Sequence, residues 1–271
     1  MQYEPIKRSL GRVFRKSILL KKLLYLLLDL LLLRSWHVRK AIGRTSSLLP
    51  SDARVLDAGS GFGQYTWRMS SRHRGWNIKG IDINDEEVAE CNEFFRKTGR
   101  SGRVAFFAGD LTKLDETGLY DLVLTVDVME HITEDEKVFS NFSKALKPGG
   151  KLIISTPSDM GGSDVHDHDD TSFIDEHVRD GYGKEEIISK LEKAGFSKVD
   201  VAYTYGRAGS ISWRISMKYP VKMLNSSYFF FILLPFWYII AFPVALVFNF
   251  IDVNVVNKSG TGLLVTAEKI Q

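Results

Sequence analysis

Four aspartates close four successive apolar runs: Asp57 in Val55-Leu-Asp-Ala-Gly-Ser-Gly-Phe-Gly63, Asp82 after Trp76–Ile81, Asp110 in Gly109-Asp110-Leu111, and Asp127 after Leu122–Val126. Carboxylates accept hydrogen bonds and attract cations, so such a row suits a ligand rich in hydroxyl, amino and cationic groups. Gly59 and Gly61 lack side chains, which lets the backbone turn sharply and approach that ligand. The second set of reactive groups is histidine, which titrates near neutrality and suits a general base. His131 lies in Asp127-Val-Met-Glu-His131. His166, His168 and His177 lie in or just after Gly161-Gly-Ser-Asp-Val-His-Asp-His-Asp-Asp170. The plainer reading of that stretch is a polar lid.

The elements that must hold these groups follow from periodicity. Arg54–Ala58, Trp76–Asp82, Val104–Ala108, Asp121–Val126 and Lys151–Ser155 read as strands, with Lys198–Tyr205 and Leu263–Lys269 as two more. Helices lie between them: one from the glycine loop to about His73, and one capped by Asn84 with Glu87 completing a capping box. A third carries the stripe Val138, Phe139, Phe142, Ala145 and Leu146 and is stopped by Pro148-Gly149-Gly150. A fourth spans Lys184–Ala194. Strands alternating with helices imply an α/β parallel sheet covered on both faces. In such sheets ligands bind beyond the carboxyl ends of the strands, where all four aspartates fall.

The glycines run Gly59, Gly61, Gly63 and do not fit Gly-x-Gly-x-x-Gly. Together with the ordered aspartates and Leu146-Lys-Pro-Gly-Gly150, however, the chain closely resembles the class I S-adenosylmethionine (SAM)-dependent methyltransferases over roughly Ser51 to Phe196 plus the last strand. The resemblance implies a Rossmann-like sheet of seven strands, the last inserted antiparallel between the fifth and sixth. It implies SAM as cofactor, lined by Asp57, Gly59, Gly61, Asp82 and Asp110, with Ile83, Leu111 and Asp127 beside them. Asp57 would orient the amino end of the methionine, Asp82 the ribose hydroxyls and Asp110 the adenine amine. Asp127 would stand beside the methyl-transfer region. Asp127, Glu130 and His131 also match a stretch of the quinone-pathway O-methyltransferases that binds a divalent cation. The alternative there is a helix N-terminus satisfied by its own acidic groups.

Flanking segments speak to the partner. Net charge is +3, yet residues 1–44 hold eleven Lys and Arg against two acids, a surplus of nine that suits an anionic partner. Ile18–Leu33 is leucine-rich but interrupted by Lys21, Lys22 and Asp29, too broken to span a bilayer, and Trp36 flanks it. It reads as an interfacial helix or as one packed on the domain. Tyr228–Phe248 runs twenty-one residues without a charge. Both of its ends must return to one sheet, so Pro235 and Pro243 are expected to break it into a re-entrant hairpin. Upstream, Ile211–Lys222 mixes aromatics and cations as interfacial helices do. The single cysteine, Cys91, fits a reducing compartment and a core position.

The sequence therefore divides into a basic helical arm (1–48), a SAM-binding domain (49–207 and 261–271) and a hydrophobic insertion (208–260). The expected function is O-methylation of a lipid or lipid-linked acceptor at the cytoplasmic face of a membrane. Two alternatives stand beside it: a soluble small-molecule methyltransferase that forms a homodimer through the insertion, and an inactive SAM-binding scaffold at a membrane. Nucleic acid is not an expected partner. There is no Asn/Asp-Pro-Pro-Tyr-like motif after the fourth strand, and leucine rather than stacking aromatics interleaves the basic arm.

Overall fold

The computed structural model describes residues 17–161, 178–227 and 230–270. Strands β1 (Arg54–Ala58), β2 (Asn77–Asp82), β3 (Val104–Ala108), β4 (Tyr120–Val126), β5 (Leu146–Pro157), β6 (Phe196–Thr204) and β7 (Gly262–Lys269) form one seven-stranded sheet. Its order is β3-β2-β1-β4-β5-β7-β6, with β7 antiparallel to both neighbours and the other pairs parallel. The helices between strands are α3 (Gln64–Arg72), α4 (Asp85–Lys97), α5 (Asp135–Ala145) and α6 (Lys184–Lys193). Two apolar layers result. Val138, Phe139, Phe142, Ile187 and Leu191 pack one face of the sheet, and Met69, Val88, Cys91 and Phe95 pack the other. Val138, Phe139 and Phe142 are the helical stripe that the spacing predicts.

Element ends depart from expectation where tertiary pairing overrides local signals. β5 begins at Leu146, before Pro148-Gly149-Gly150, because Leu146 already pairs with Tyr120. β6 begins at Phe196, paired with Lys269, and stops at Thr204 because Tyr205 turns to φ 56°. The capping role of Asn84 holds: its side chain accepts from Glu86 N at 3.0 Å and Glu87 N at 3.3 Å.

The leucine-rich arm is two helices, α1 (Ile18–Leu31) and α2 (Leu33–Ser46), broken at an extended Leu32. After β6 come α7 (Arg207–Trp213), a π-turn (Arg214–Lys218) and α8 (Tyr219–Ser226), then α9 (Phe230–Asn254). The expected break at Pro235 and Pro243 does not occur; α9 is one helix containing both prolines. A hairpin does form, but between the α7–α8 rod and α9, which run antiparallel.

What joins the rods is polar. Pro220 has no N–H to donate to the Ser216 carbonyl, and the π-turn shifts the bonding there, with Tyr219 N reaching Arg214 O. Tyr238 O–H donates to Ser216 O at 2.8 Å and Trp237 Nε1 to Ile215 O at 2.9 Å. Ser212 O–H reaches Ala245 O at 3.1 Å and Asn249 Oδ1 at 2.6 Å. These ties reach α9 between Trp237 and Asn249, on both sides of Pro243, and hold the helix against its partner rod. The outward side of α9 is apolar and exposed: Ile232, Phe236, Ile239, Ile240, Val247 and Phe250. Arg214, Lys218 and Lys222 stand one turn apart on the partner rod.

Candidate functional site

The glycine loop leaves β1 with Gly59, Gly61 and Gly63 at φ 75°, 47° and 83°. Gly59 N and Ser60 N both donate to Ile81 O, at 2.8 and 3.0 Å, which moors the loop to the end of β2. A Cβ on Gly59 would stand 2.1 Å from Val128 Cγ2. Asp82 accepts from Gly61 N at 2.7 Å and from Asn84 N at 3.0 Å, so it shapes the loop as well as facing it. Asp57 is only 2 % exposed and accepts from Thr66 O–H at 2.5 Å. Burial pushes its carboxyl up to about 6, against the downward pull of the Thr66 bonds. Asp110 caps a short turn, accepting from Thr112 N at 2.9 Å and Thr112 Oγ1 at 2.7 Å, and these bonds hold its carboxyl below the usual range. Asp57, Asp82, Asp110 and Asp127 thus lie along one carboxyl edge, each at the end of the strand that the sequence assigns it, and the sheet order sets them as Asp110, Asp82, Asp57, Asp127. Ile83 is exposed at that edge, whereas the Leu111 side chain is in the core.

Asp127 ends β4 at φ 50°, a left-handed conformation uncommon outside glycine and one that often marks functional positions. Its N–H donates to Ser155 O at 2.8 Å and its carboxylate pairs with the Arg34 guanidinium. Arg34 is the residue that sequence reasoning missed. It comes from the basic arm, and its own N–H donates to Tyr205 O–H at 3.1 Å. Tyr205 N in turn donates to Asp252 at 3.1 Å, and Asp252 also meets His37 Nε2 at 2.8 Å. A polar chain therefore runs from the base of the hairpin to the end of β4. A lone arginine directly after a leucine run, at Leu33-Arg34-Ser35, was the available signal.

The proposed cation triad Asp127, Glu130 and His131 is not assembled. Glu130 is 1 % exposed, accepts from Thr156 O–H at 3.1 Å, and has its carboxyl raised by burial. Asp127 faces Arg34 instead, and His131 is exposed. Among the described residues no group of three His, Cys, Asp or Glu is arranged to hold a metal ion. His166, His168 and His177 lie outside the described residues.

Beyond that stretch the chain is tied down by Asp135 on α5. Its carboxylate receives Arg179 at 2.6 Å, Lys190 at 2.8 Å and Tyr182 O–H at 2.8 Å. Burial opposes the charge, yet these partners hold the Asp135 carboxyl below its ordinary value. Replacing Asp135 with alanine leaves Arg179 and Lys190, both largely buried, only the more exposed Glu186, at 4.0 and 2.8 Å. The expected loss is about 3 kcal/mol of unfolding free energy, read by urea denaturation. Because the folded carboxyl titrates low, the wild-type advantage is present at neutral pH and disappears as pH falls through that depressed value.

A methyltransferase-domain family profile matches residues 49–195, more than half of the chain. The chain belongs to this methyltransferase family. Its fold is that of the class I SAM-dependent methyltransferases. A phosphoethanolamine N-methyltransferase 2 of Haemonchus contortus, solved with phosphomonomethylethanolamine and S-adenosylhomocysteine, superposes with TM-score 0.60 at 21 % identity, over 87 % of this chain and 53 % of that one. Curated relatives include sterol 24-C-methyltransferase of Saccharomyces cerevisiae, 34 % identical over 37 % of this chain and 26 % of the yeast protein. Phosphoethanolamine N-methyltransferase 1 of Triticum aestivum is 32 % identical over 56 % of this chain and 30 % of its own length. The chain thus matches about a third or less of the length of these two relatives. The family match ends at residue 195, before the hairpin, and begins after the arm.

Proposed function

We propose that this methyltransferase uses SAM to methylate a lipid or lipid-linked acceptor at a membrane surface. The observation that carries the acceptor class is the inside-out hairpin, whose hydroxyls, amide and indole N–H face inward and whose isoleucines and phenylalanines face outward. Six large apolar side chains exposed along one helix form the kind of patch that marks a partner or membrane contact in soluble proteins. The hairpin leaves the sheet after Thr204 and re-enters at Gly262, which pairs with Pro157 at the carboxyl end of β5. It therefore emerges on the edge that carries the four aspartates. The relatives named for sterol and phosphoethanolamine substrates are in keeping with a lipid-related acceptor.

In this reading Asp82 takes the ribose hydroxyls, Asp110 the adenine amine and Asp57 the methionine ammonium. Methyl transfer to a carbon already activated by sulfonium asks the protein mainly for alignment, worth roughly 7–11 kcal/mol where it is good. Oxygen is the acceptor atom we favour, and a hydroxyl needs a base; replacing that base among His131, His166, His168 and His177 is expected to cost roughly 10²–10⁴-fold in kcat. The test of the whole reading is incubation of the full chain with labelled SAM and a membrane lipid extract. The expected result is label in one lipid, heavier by one methylene. Label only in a water-soluble acceptor, with the chain a detergent-free dimer, would establish the soluble alternative instead. No label in any extract, with S-adenosylhomocysteine still bound, would leave the inactive scaffold.

The raised Asp57 carboxyl makes a pH prediction. The bound ammonium requires the carboxylate, so binding must expel a proton below about pH 6 and no longer does so above it. S-adenosylhomocysteine affinity should be flat from about pH 8 to about pH 6, then weaken by roughly tenfold per pH unit below. Isothermal titration reads this directly, and an Asp57→Asn variant should lose the pH dependence along with affinity.

A further inference from the structure

Helix α1 is built the wrong way round for a helix in water. Lys21, Tyr25 and Asp29, spaced at i, i+4 and i+8, face the domain. Lys21 Nζ lies 5.0 Å from the Phe94 ring centroid. Tyr25 O–H donates to Phe62 O at 2.6 Å, and its ring stacks on Phe62 with centroids 6.2 Å apart. Asp29 accepts from Gln64 Nε2 at 2.9 Å and from Arg68 at 2.8 Å. The opposite face shows Leu19, Leu23, Leu26 and Leu27, all exposed. Phe62 sits between Gly61 and Gly63, and Gln64 and Arg68 belong to the first turns of α3. The inward face of α1 therefore clamps the glycine loop and the start of α3, while its outward face is leucine that no described residue covers.

We infer that the leucine face of α1 docks on an anionic bilayer, and that this docking holds the glycine loop in place so that the cofactor binds more tightly on membranes than away from them. The inference rests on the membrane reading above and adds a second contact to it. Three observations name the occupant. Residues 1–44 carry a positive surplus of nine; with Lys21, Arg34, Arg39, Lys40 and Asp29 turned to the domain, a surplus of six remains to complement anionic headgroups. α1 holds Phe62 of the glycine loop, at the carboxyl edge of the sheet, and the hairpin leaves the sheet from that same edge. The outward stripe recurs at positions 19, 23, 26 and 27, the pattern of a helix lying in an interface. Cofactor coupling follows because α1 has no way to leave the domain without breaking the Tyr25–Phe62 bond and the Asp29 bonds.

The test uses the full chain in nanodiscs of phosphatidylcholine with or without phosphatidylglycerol. An environment-sensitive fluorophore is placed at Leu23→Cys and, separately, at Ile239→Cys on the hairpin; the one native thiol, Cys91, is buried. Quenching by brominated lipid reports contact with acyl chains. S-adenosylhomocysteine affinity is measured in parallel for wild type and for a Leu19→Glu, Leu23→Glu, Leu26→Glu variant, whose changes fall on exposed positions. We expect quenching at both labels. We also expect an affinity at least about fivefold tighter on anionic discs, the lower end of ordinary coupling between sites, with this gain lost in the triple variant. Quenching at residue 239 but not at residue 23 overturns the inference and leaves the proposed function standing. Quenching at neither overturns both. A Leu23 label shielded from aqueous iodide yet untouched by brominated lipid would mean that residues 1–16 or a second copy cover the face, and also overturns it. Equal affinity on both kinds of disc refutes the coupling even where α1 touches lipid.

Discussion

On the proposed membrane reading, replacing Ile239 and Ile240 together with aspartate is expected to release the protein from membranes. The two side chains are 70 % and 74 % exposed, on the outward side of α9. Each isoleucine buried in the acyl boundary contributes about 1.5–3 kcal/mol. Each aspartate introduced at depth costs up to about 2.5–3.5 kcal/mol on insertion scales. Even at a shallow position the pair should therefore forfeit about 5 kcal/mol or more, a fall in partition coefficient of over about 10³-fold. Neither side chain packs against the domain, so the change in folding stability should stay within about 0.5 kcal/mol. Vesicle flotation measures the first quantity and a thermal melt the second. A double variant that still floats with vesicles would remove the hairpin from any role in membrane contact. A wild-type chain recovered as a discrete detergent-free dimer would point to the interface alternative.

Gly59→Ala should sharply weaken cofactor binding through two separable effects. Alanine at φ 75° pays the left-handed penalty, roughly 1–2 kcal/mol. Its Cβ would also meet Val128 Cγ2 at 2.1 Å and Cγ1 at 2.9 Å, and overpacking of that kind costs roughly 1–3 kcal/mol. The loop can relieve both only by withdrawing from Ile81 O and Asp82, which destroys the shape on which the cofactor would lie. We expect S-adenosylhomocysteine affinity to fall by roughly 10²-fold or more. Adding Val128→Ala should restore about a factor of ten, because it opens space but leaves the backbone strain. Full rescue by the second substitution would assign the whole effect to the clash; no rescue would assign it to φ.

The sheet and the carboxyl edge were legible because short-range signals sufficed. Each apolar run ends on its aspartate, and Asn84 caps its helix with a bond spanning two or three residues. The parts that were not legible depend on contacts between distant segments. Nothing in Leu30-Leu-Leu-Leu33 marks Leu32 as a break; the turn follows from Arg34 N reaching Tyr205, on the far side of the sheet sequence. Pro235 and Pro243 misled for a related reason. A proline's local effect is to remove a bond, but whether a helix survives depends on what packs beside it, and here a π-turn in the partner rod exposes carbonyls that Trp237 and Tyr238 fill. Asp127, Glu130 and His131 looked like a ligand set by their match to a stretch of the quinone-pathway O-methyltransferases. The fold gives Glu130 to Thr156 and Asp127 to Arg34, and those partners lie outside the motif.

The row of Arg214, Lys218 and Lys222 limits how deep the hairpin can sit. At 25 residues α9 measures about 37 Å, longer than the roughly 30 Å hydrocarbon core. On length alone it could plunge through. Its companion rod, however, would then drag Arg214, Lys218 and Lys222 down the same axis with whatever they pair with, and charged side chains are costly near mid-depth. On the proposed membrane reading the hairpin instead lies as an outrigger along the leaflet, isoleucines down and cations level with the headgroups. An outrigger resists rolling, so the enzyme would ride the surface at one fixed tilt. The acceptor could then keep its tail in the leaflet while only its head rises to meet the strand ends.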